Sequence, residues 1–287
     1  MIIDLTEIKA GMLPLVGGKA LGLAELIRAG EQVPAGFCLT TDPPGATGPP
    51  GPTPVPNSDS DGGDDLAEAY ERLGGGPVAV RSSATAEDLP DASFAGLHDT
   101  FLGVSGVVEL RDAVRRCRES VRSERVVAYR EANGIPESRM AVVVQRMVDP
   151  VVAGVLYTAN PVTGRRTEMV VDAAPGLGTA VVDGSVVPDH YVLGAEGVPE
   201  GGCLGSAQLA ELREAGHRLR KIFGAPQDVE WAFDGAGVLW ILQSRPITTL
   251  FPAPPESAEP RVYLELGGQF QGVFQPFTPM GSAVLRS

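Results

Sequence analysis

The sequence predicts an α+β protein built in two lobes. Three observations lead there. Helical stretches and strand-type apolar runs are mixed along the chain. A β-hairpin is written around Asp234-Gly235. No G-x-G-x-x-G follows a strand and no Walker A pattern occurs; the short "GGK" at Gly17–Lys19 is not a P-loop. The 287 residues suffice for one large domain or two smaller lobes.

The elements follow in order. "GGKALGLAELIRAG" reads as a glycine turn and an amphipathic helix, with Leu21, Leu23, Ala24, Leu26 and Ile27 on its apolar face. Gly30 stops it. "VPAGFCLTTD" is a short strand. Residues 43–65, "PPGATGPPGPTPVPNSDSDGGDD", hold almost nothing that can be buried and read as a flexible loop. "LAEAYERL" is a helix and "GPVAVRSS" a strand. "VVELRDAVRRCRESVRSERVVAYREANG" is a long helical stretch with charge pairs at helical spacing. "RMAVVVQRMV" is a buried-type strand broken by Gln145. "AGVLYTANPVTG" and the segment from Thr167 to Leu193 add strands and turns, and "SAQLAELREAGHRLRKIFG" is a helix. In the final hairpin, "QDVEWAFDGAGVLWILQSRPI", Val229, Trp231 and Phe233 face one way and Glu230 the other. Residues 251–261 have linker composition. Residues 262–287 resume apolar patterning but stop before a domain forms.

Composition excludes several classes. The net charge of −13 opposes broad nucleic-acid binding, which needs a basic surface, but leaves room for a small anion in a locally basic pocket. The three cysteines, Cys38, Cys117 and Cys203, are far apart and have no zinc-type spacing; reduced thiols in a cytoplasmic protein are expected. No run of about 18 or more apolar residues is found, so no membrane span is expected, and the N-terminus lacks the basic region of a secretory signal.

Polar residues inside apolar strands need a reason, because a buried charge is costly unless paired or coordinating. Gln145 is one. Glu230 is another, and Gln243 and Arg245 share a face of the next strand. A salt bridge between Glu230 and Arg245 that merely tidies the sheet would account for part of this. A magnesium and phosphate site would account for more: Mg²⁺ takes oxygen ligands together with substrate phosphates, and arginine forks onto phosphate oxygens. Arg81 ends a strand and enters a Ser/Thr/Gly loop of the kind that cradles anions. Lys19 follows two glycines at a helix start. Lys19, Arg81, Glu230, Gln243 and Arg245 together suit one Mg-nucleotide.

These stretches resemble a known family. "VGGKALGLAELIRAG", "VAVRSSATAEDLPDASFAGLHDTFLGV", "MAVVVQRMV", "AGVLYTANPVTG" and "DVEWAFDGAGVLWILQSRPI" are similar, in the same order, to the nucleotide-binding domain of the phosphoenolpyruvate synthase and pyruvate phosphate dikinase family. "GQFQGVFQPFTPMG" resembles the synthase and rifampin phosphotransferase branch. The resemblance implies an ATP-grasp fold whose lobes, residues 1–135 and 136–250, clamp Mg-ATP, with 262–287 opening the next segment. It implies that Lys19, Arg81 and Arg245 contact the phosphates. Gly96 and Thr100 lie on the loop over the nucleotide, Gln145 meets the adenine side, and Glu230 and Gln243 hold Mg²⁺. It also implies the chemistry: ATP gives its β-phosphoryl group, by way of a pyrophosphorylated histidine on a swivelling domain, to an acceptor, leaving AMP and phosphate. His98, His190 and His217 do not stand in the family's Thr-Ser-Gly-Gly histidine context, so a phosphohistidine domain is expected elsewhere, in cis in a full-length relative or in trans. Thr179 stands where the family commonly has Glu.

Overall fold

In the computed structural model, residues 1–41, 63–85, 100–120, 139–182, 184–194 and 201–250 are described. The chain divides into Met1–Leu250 and Phe251–Ser287. The second unit, with the expected linker and tail, lies outside the described residues. So do Gly96, His98 and most of the expected loop at 43–65.

Two five-stranded sheets, antiparallel throughout, carry the fold. The first comprises β1 (Ile2–Asp4), β2 (Gly36–Leu39), β3 (Val78–Ala84), β4 (Thr100–Val104) and β5 (Met140–Arg146), in the order β1-β2-β5-β3-β4. The second comprises β6 (Pro150–Tyr157), β7 (Met169–Pro175), β8 (Asp189–Leu193), β9 (Gln227–Asp234) and β10 (Leu239–Pro246), in the order β10-β9-β6-β7-β8. This is the expected α+β class. The chain changes sheets between Arg146 and Pro150. The apolar run "MAVVVQR" belongs to the first sheet, because both of its edges are taken by β2 and β3.

Strand alternation sorts the residues. On the first sheet, Val78, Val80, Val142 and Val144 turn to one face, where α2 (Gly63–Arg72) and α3 (Val107–Ser120) cover them with Leu66, Tyr70, Leu110 and Val114. Ala79, Arg81 and Ser83 of β3, with Ala141, Val143 and Gln145 of β5, turn to the other. There α1 (Leu13–Arg28) contributes Val16, Ala20, Leu23 and Leu26 to a core that also takes in Val152, Leu156, Trp231 and Phe233 of the second sheet. Helix α5 (Ser206–Phe223) packs Leu209, Leu212 and Leu219 into that core and ends on Gly224 in the left-handed conformation. A short helix, α4 (Thr179–Val182), follows β7.

Three boundaries differ from expectation. Helix α2 starts at Gly63, inside the expected loop, because Asp64 and Asp65 are acids in a first turn, where the helix dipole favours them. The long helical stretch is described only to Ser120. Helix α1 begins at Leu13, with Pro14 in its first turn, and bends at Gly17 (φ 76°, ψ 171°). A Cβ at Gly17 would stand 2.1 Å from the Ser83 carbonyl oxygen. Only glycine lets the helix lie this close to β3. Ala10–Arg28 is, by length and composition, apolar enough to cross a membrane (mean hydropathy 1.4), which the expectation of no such segment did not allow for. Its apolar side is spent on the core just described.

Candidate functional site

The bend at Gly17 lays the start of α1 along β3. The Ser83 hydroxyl donates to the Val16 carbonyl at 2.7 Å and accepts from the Ala20 amide at 3.1 Å. It thus caps the helical segment that begins after the bend. Lys19 is carried down with it. Its ammonium is buried and donates to the Ser82 carbonyl at 2.7 Å. Lys19 therefore sits one residue along the backbone from Arg81.

Arg81 reaches from β3 to the second sheet. Its Nη2 donates to Glu230 Oε2 at 2.7 Å and to Gln243 Oε1 at 2.6 Å; its Nη1 donates to the Leu242 carbonyl at 2.7 Å. The three acceptors are set by the hairpin. Glu230 of β9 lies opposite Gln243 of β10, and Asp228 opposite Arg245. The register slips between Ile241 and Gln243, leaving Leu242 as the extra residue of a β-bulge. Bulges re-aim groups beside functional sites; here the re-aimed group is a carbonyl turned to Arg81. The guanidinium side chain is 10% exposed and the Glu230 carboxylate 25%, so the pair is largely withdrawn from water.

Arg245 pairs with Asp228, not with Glu230 as the salt-bridge reading had it. Its Nε and Nη2 both donate to Asp228 Oδ2, each at 2.8 Å. Glu230 is instead the partner of Arg81, because the register offsets it from Arg245 by two residues, a full period of the strand. The second oxygen, Asp228 Oδ1, is buried without a hydrogen-bond partner. Burial pushes the Asp228 carboxyl above its ordinary range; Arg245 pulls it back and the negative charge of Glu230 adds to the rise. Sequence reasoning missed Asp228. The signal was there: it is two residues from Glu230 and so shares its face.

The same face continues across the sheet. Tyr157 of β6 lies opposite Asp228, Val155 opposite Glu230, Asp172 of β7 opposite Val155, and His190 of β8 opposite Asp172. Asp172 Oδ1 and His190 Nδ1 are 2.7 Å apart. Burial, then the charges of Asp228 and Asp172, push the Tyr157 phenol up.

The remaining expected residues are scattered around this centre. Thr100 lies opposite Arg81 in the β3–β4 register and is exposed. Gln145 is on the same face of the first sheet as Arg81, but its amide is buried and donates to the Pro34 carbonyl at 3.2 Å. Gly96 is outside the described residues. The structure therefore brings Lys19, Arg81, Glu230, Gln243 and Arg245 to one locus, adds Asp228, puts Thr100 beside Arg81, and commits Gln145 to the backbone.

Chemically, the locus holds three cationic side chains, two carboxylates and a carboxamide oxygen, drawn from both sheets. Such a set can neutralise a polyanion while fixing its orientation. The chain's similarities agree with that character. Residues 60–200 and 195–262 match the family described as "Pyruvate phosphate dikinase, AMP/ATP-binding domain". Rifampicin phosphotransferase from Streptomyces sviceus is 40% identical over 98% of this chain and 39% of its own length. The Bacillus subtilis protein of the same name is 35% identical over 98% of this chain and 40% of its own. Phosphoenolpyruvate synthase from Pyrococcus furiosus is 32% identical over 85% of this chain and 43% of its own. The chain thus spans about two fifths of the length of these relatives. Among solved structures, D-alanine-D-alanine ligase from Coxiella burnetii aligns over 80% of this chain and 47% of its own, at 12% identity and a TM-score of 0.40. The family match covers more than half of the sequence, and the chain belongs to the pyruvate phosphate dikinase AMP/ATP-binding domain family.

Proposed function

We propose that this chain binds Mg-ATP between its two sheets and supplies a phosphoryl group from ATP to a histidine on a separate domain, leaving AMP and phosphate. The observation that carries the reading is the convergence of Arg81 from the first sheet with Glu230 and Gln243 from the second. A ligand seated there touches both sheets at once.

The roles follow from residue chemistry. Lys19, Arg81 and Arg245 are the phosphate-binding cations; the arginines fork onto oxygens and the lysine acts as a compact charge. Phosphoryl transfer asks a protein mostly for positioning and charge neutralisation, and three cations from separate elements provide both. The donors also fit a divalent metal. Glu230 Oε2 and Gln243 Oε1 already converge on one positive group, and Asp228 Oδ1 is a buried carboxylate oxygen with no partner. Mg²⁺ needs only one or two carboxylates when phosphates complete its shell. Glu230, Gln243 and Asp228 would hold it, and the ion would supply neutralisation of the phosphate oxygens.

A second reading, an ATP-binding module without catalysis, draws on the three histidines, none of which stands in the family's phosphohistidine context. The test has two stages. Calorimetric titration with ATP, with and without Mg²⁺, is expected to show magnesium-dependent binding that Glu230→Gln weakens at least tenfold. Unchanged magnesium dependence in that variant defeats the metal role. Mixing the chain with the histidine-bearing part of a relative is then expected to form AMP; binding without AMP formation favours the second reading.

A further inference from the structure

We infer that Arg81 is a place-holder for the metal. In the nucleotide-free protein its guanidinium and a divalent cation are alternative occupants of one receptor, and nucleotide phosphate is what draws the arginine away. The inference rests on the reading that Glu230 and Gln243 hold the metal, and goes beyond it.

The receptor is built for a guanidinium. Glu230 Oε2 and Gln243 Oε1 both accept from the single atom Nη2, at 2.7 and 2.6 Å. The third acceptor, the Leu242 carbonyl, receives Nη1 at 2.7 Å and is presented by the β10 bulge. Without that extra residue, Leu242 would be one more member of the ladder. The fork is thus held at both of its terminal nitrogens, with its side chain 10% exposed.

A metal on Glu230 and Gln243 draws on the one carboxamide oxygen and on the carboxylate that the guanidinium already holds. A guanidinium and a divalent ion cannot both take them at hydrogen-bonding and coordination distance, because the cations would meet in a largely dry site where like charges repel strongly. Arg81 is also one of the groups that phosphate attracts. Phosphate therefore offers Arg81 a new partner as the carboxylate and carboxamide lose theirs, and metal and nucleotide enter as a coupled pair. The arrangement keeps Glu230 paired until metal arrives, and it keeps free metal out until there is something to neutralise.

The experiment is a Mn²⁺ titration of the full chain without nucleotide, followed by electron paramagnetic resonance of the free ion. Arg81→Gln, which keeps a polar side chain but removes the charge, is expected to bind Mn²⁺ at least tenfold more tightly than wild type. Adding Glu230→Gln should abolish the gain. Arg81→Lys, whose compact ammonium cannot reach all three acceptors, should fall between and serves if Arg81→Gln does not fold. Mn²⁺ binding in Arg81→Gln and Arg81→Lys no tighter than in wild type, with circular dichroism showing folded protein, overturns the inference. The wild type with ATP separates the two ideas. If Mn²⁺ binds only with ATP and the Arg81 variants gain nothing without it, the metal site stands and the place-holder falls. If Mn²⁺ does not bind even with ATP, both fall.

Discussion

Replacing Gly17 by alanine tests whether the bend in α1 is what positions the cationic side of the site. The backbone there has φ 76° and ψ 171°, a region essentially restricted to glycine and costing other residues about 1–3 kcal/mol. The added Cβ would also stand 2.1 Å from the Ser83 carbonyl oxygen and 2.5 Å from its hydroxyl. The carbonyl belongs to β3 and cannot rotate aside, so the helix must shift, at an overpacking cost of about 1–3 kcal/mol. Together these predict a loss of about 2–6 kcal/mol, against total stabilities of about 5–15 kcal/mol for domains of this kind. Gly22, in the same helix, supplies the control. Its Cβ would find only the Ser244 carbonyl at 3.7 Å, an ordinary contact, and no positive φ. Gly22→Ala should therefore stabilise by about 0.5–1 kcal/mol, through helix propensity alone. Urea unfolding followed by circular dichroism and by the fluorescence of buried Trp231 reads both variants. Equal midpoints for Gly17→Ala and wild type would refute the reasoning. So would a drop in Gly22→Ala as large as that in Gly17→Ala, since the cost would then belong to the helix at large.

Three further outcomes are expected. Arg245→Ala should lose stability as well as phosphate affinity, about 3 kcal/mol, because it strands the largely buried Asp228 carboxylate. Asp228→Asn in the same chain should recover most of that in urea unfolding; strictly additive losses would argue against the pair. Cys38, fully buried, has its thiol pushed up to about 12, from 9.0, by burial. Because the folded value is the higher, its contribution is fully present below pH 9 and is lost as pH rises toward 12. Native protein at pH 9 should resist iodoacetamide at Cys38 while unfolded protein is alkylated; prompt labelling of native protein, read by mass spectrometry, would contradict the burial. Finally, Glu31, three residues past the end of α1, and Arg218 of α5 form a bidentate pair at 2.7 and 2.9 Å, with the arginine half exposed but the Glu31 side chain only 7% exposed. Arg218→Ala should cost about 3 kcal/mol, because it strands the buried Glu31 carboxylate; a loss of about 1 kcal/mol or less in urea unfolding, the worth of an exposed pair, would contradict this.

The strands and the main helices were legible because each announces itself locally. Alternation alone put Val229, Trp231 and Phe233 on one side of β9 and Glu230 on the other, and the register agrees. The bonded partners were not legible. Arg81 and Glu230 are 149 residues apart, and nothing in either neighbourhood points to the other. A continuous apolar run such as "MAVVVQR" says that a strand is buried but not which strands flank it. Asp228, Tyr157, Asp172 and His190 escaped for a different reason. Single polar residues in an alternating strand ordinarily mark the solvent side of an antiparallel sheet. At Asp228 that rule fails, as its buried, unpartnered oxygen records, and only the packing of the whole fold reveals it. The bulge at Leu242 is likewise invisible in "WILQSRPI", because one extra residue in a ladder leaves the composition unchanged.

The place of β5 in the first sheet bears on how the protein is made. It is the last of the five strands to leave the ribosome and it sits at the centre, joining β1-β2 on one side to β3-β4 on the other. Until Arg146 has emerged, the lobe consists of two strand pairs with open edges and no shared sheet, a state prone to wrong pairings. The first lobe therefore completes late and over long sequence separations, which slows folding. A fragment cut at residue 135 would lack its keystone strand, whereas one ending just beyond Arg146 would carry the whole sheet.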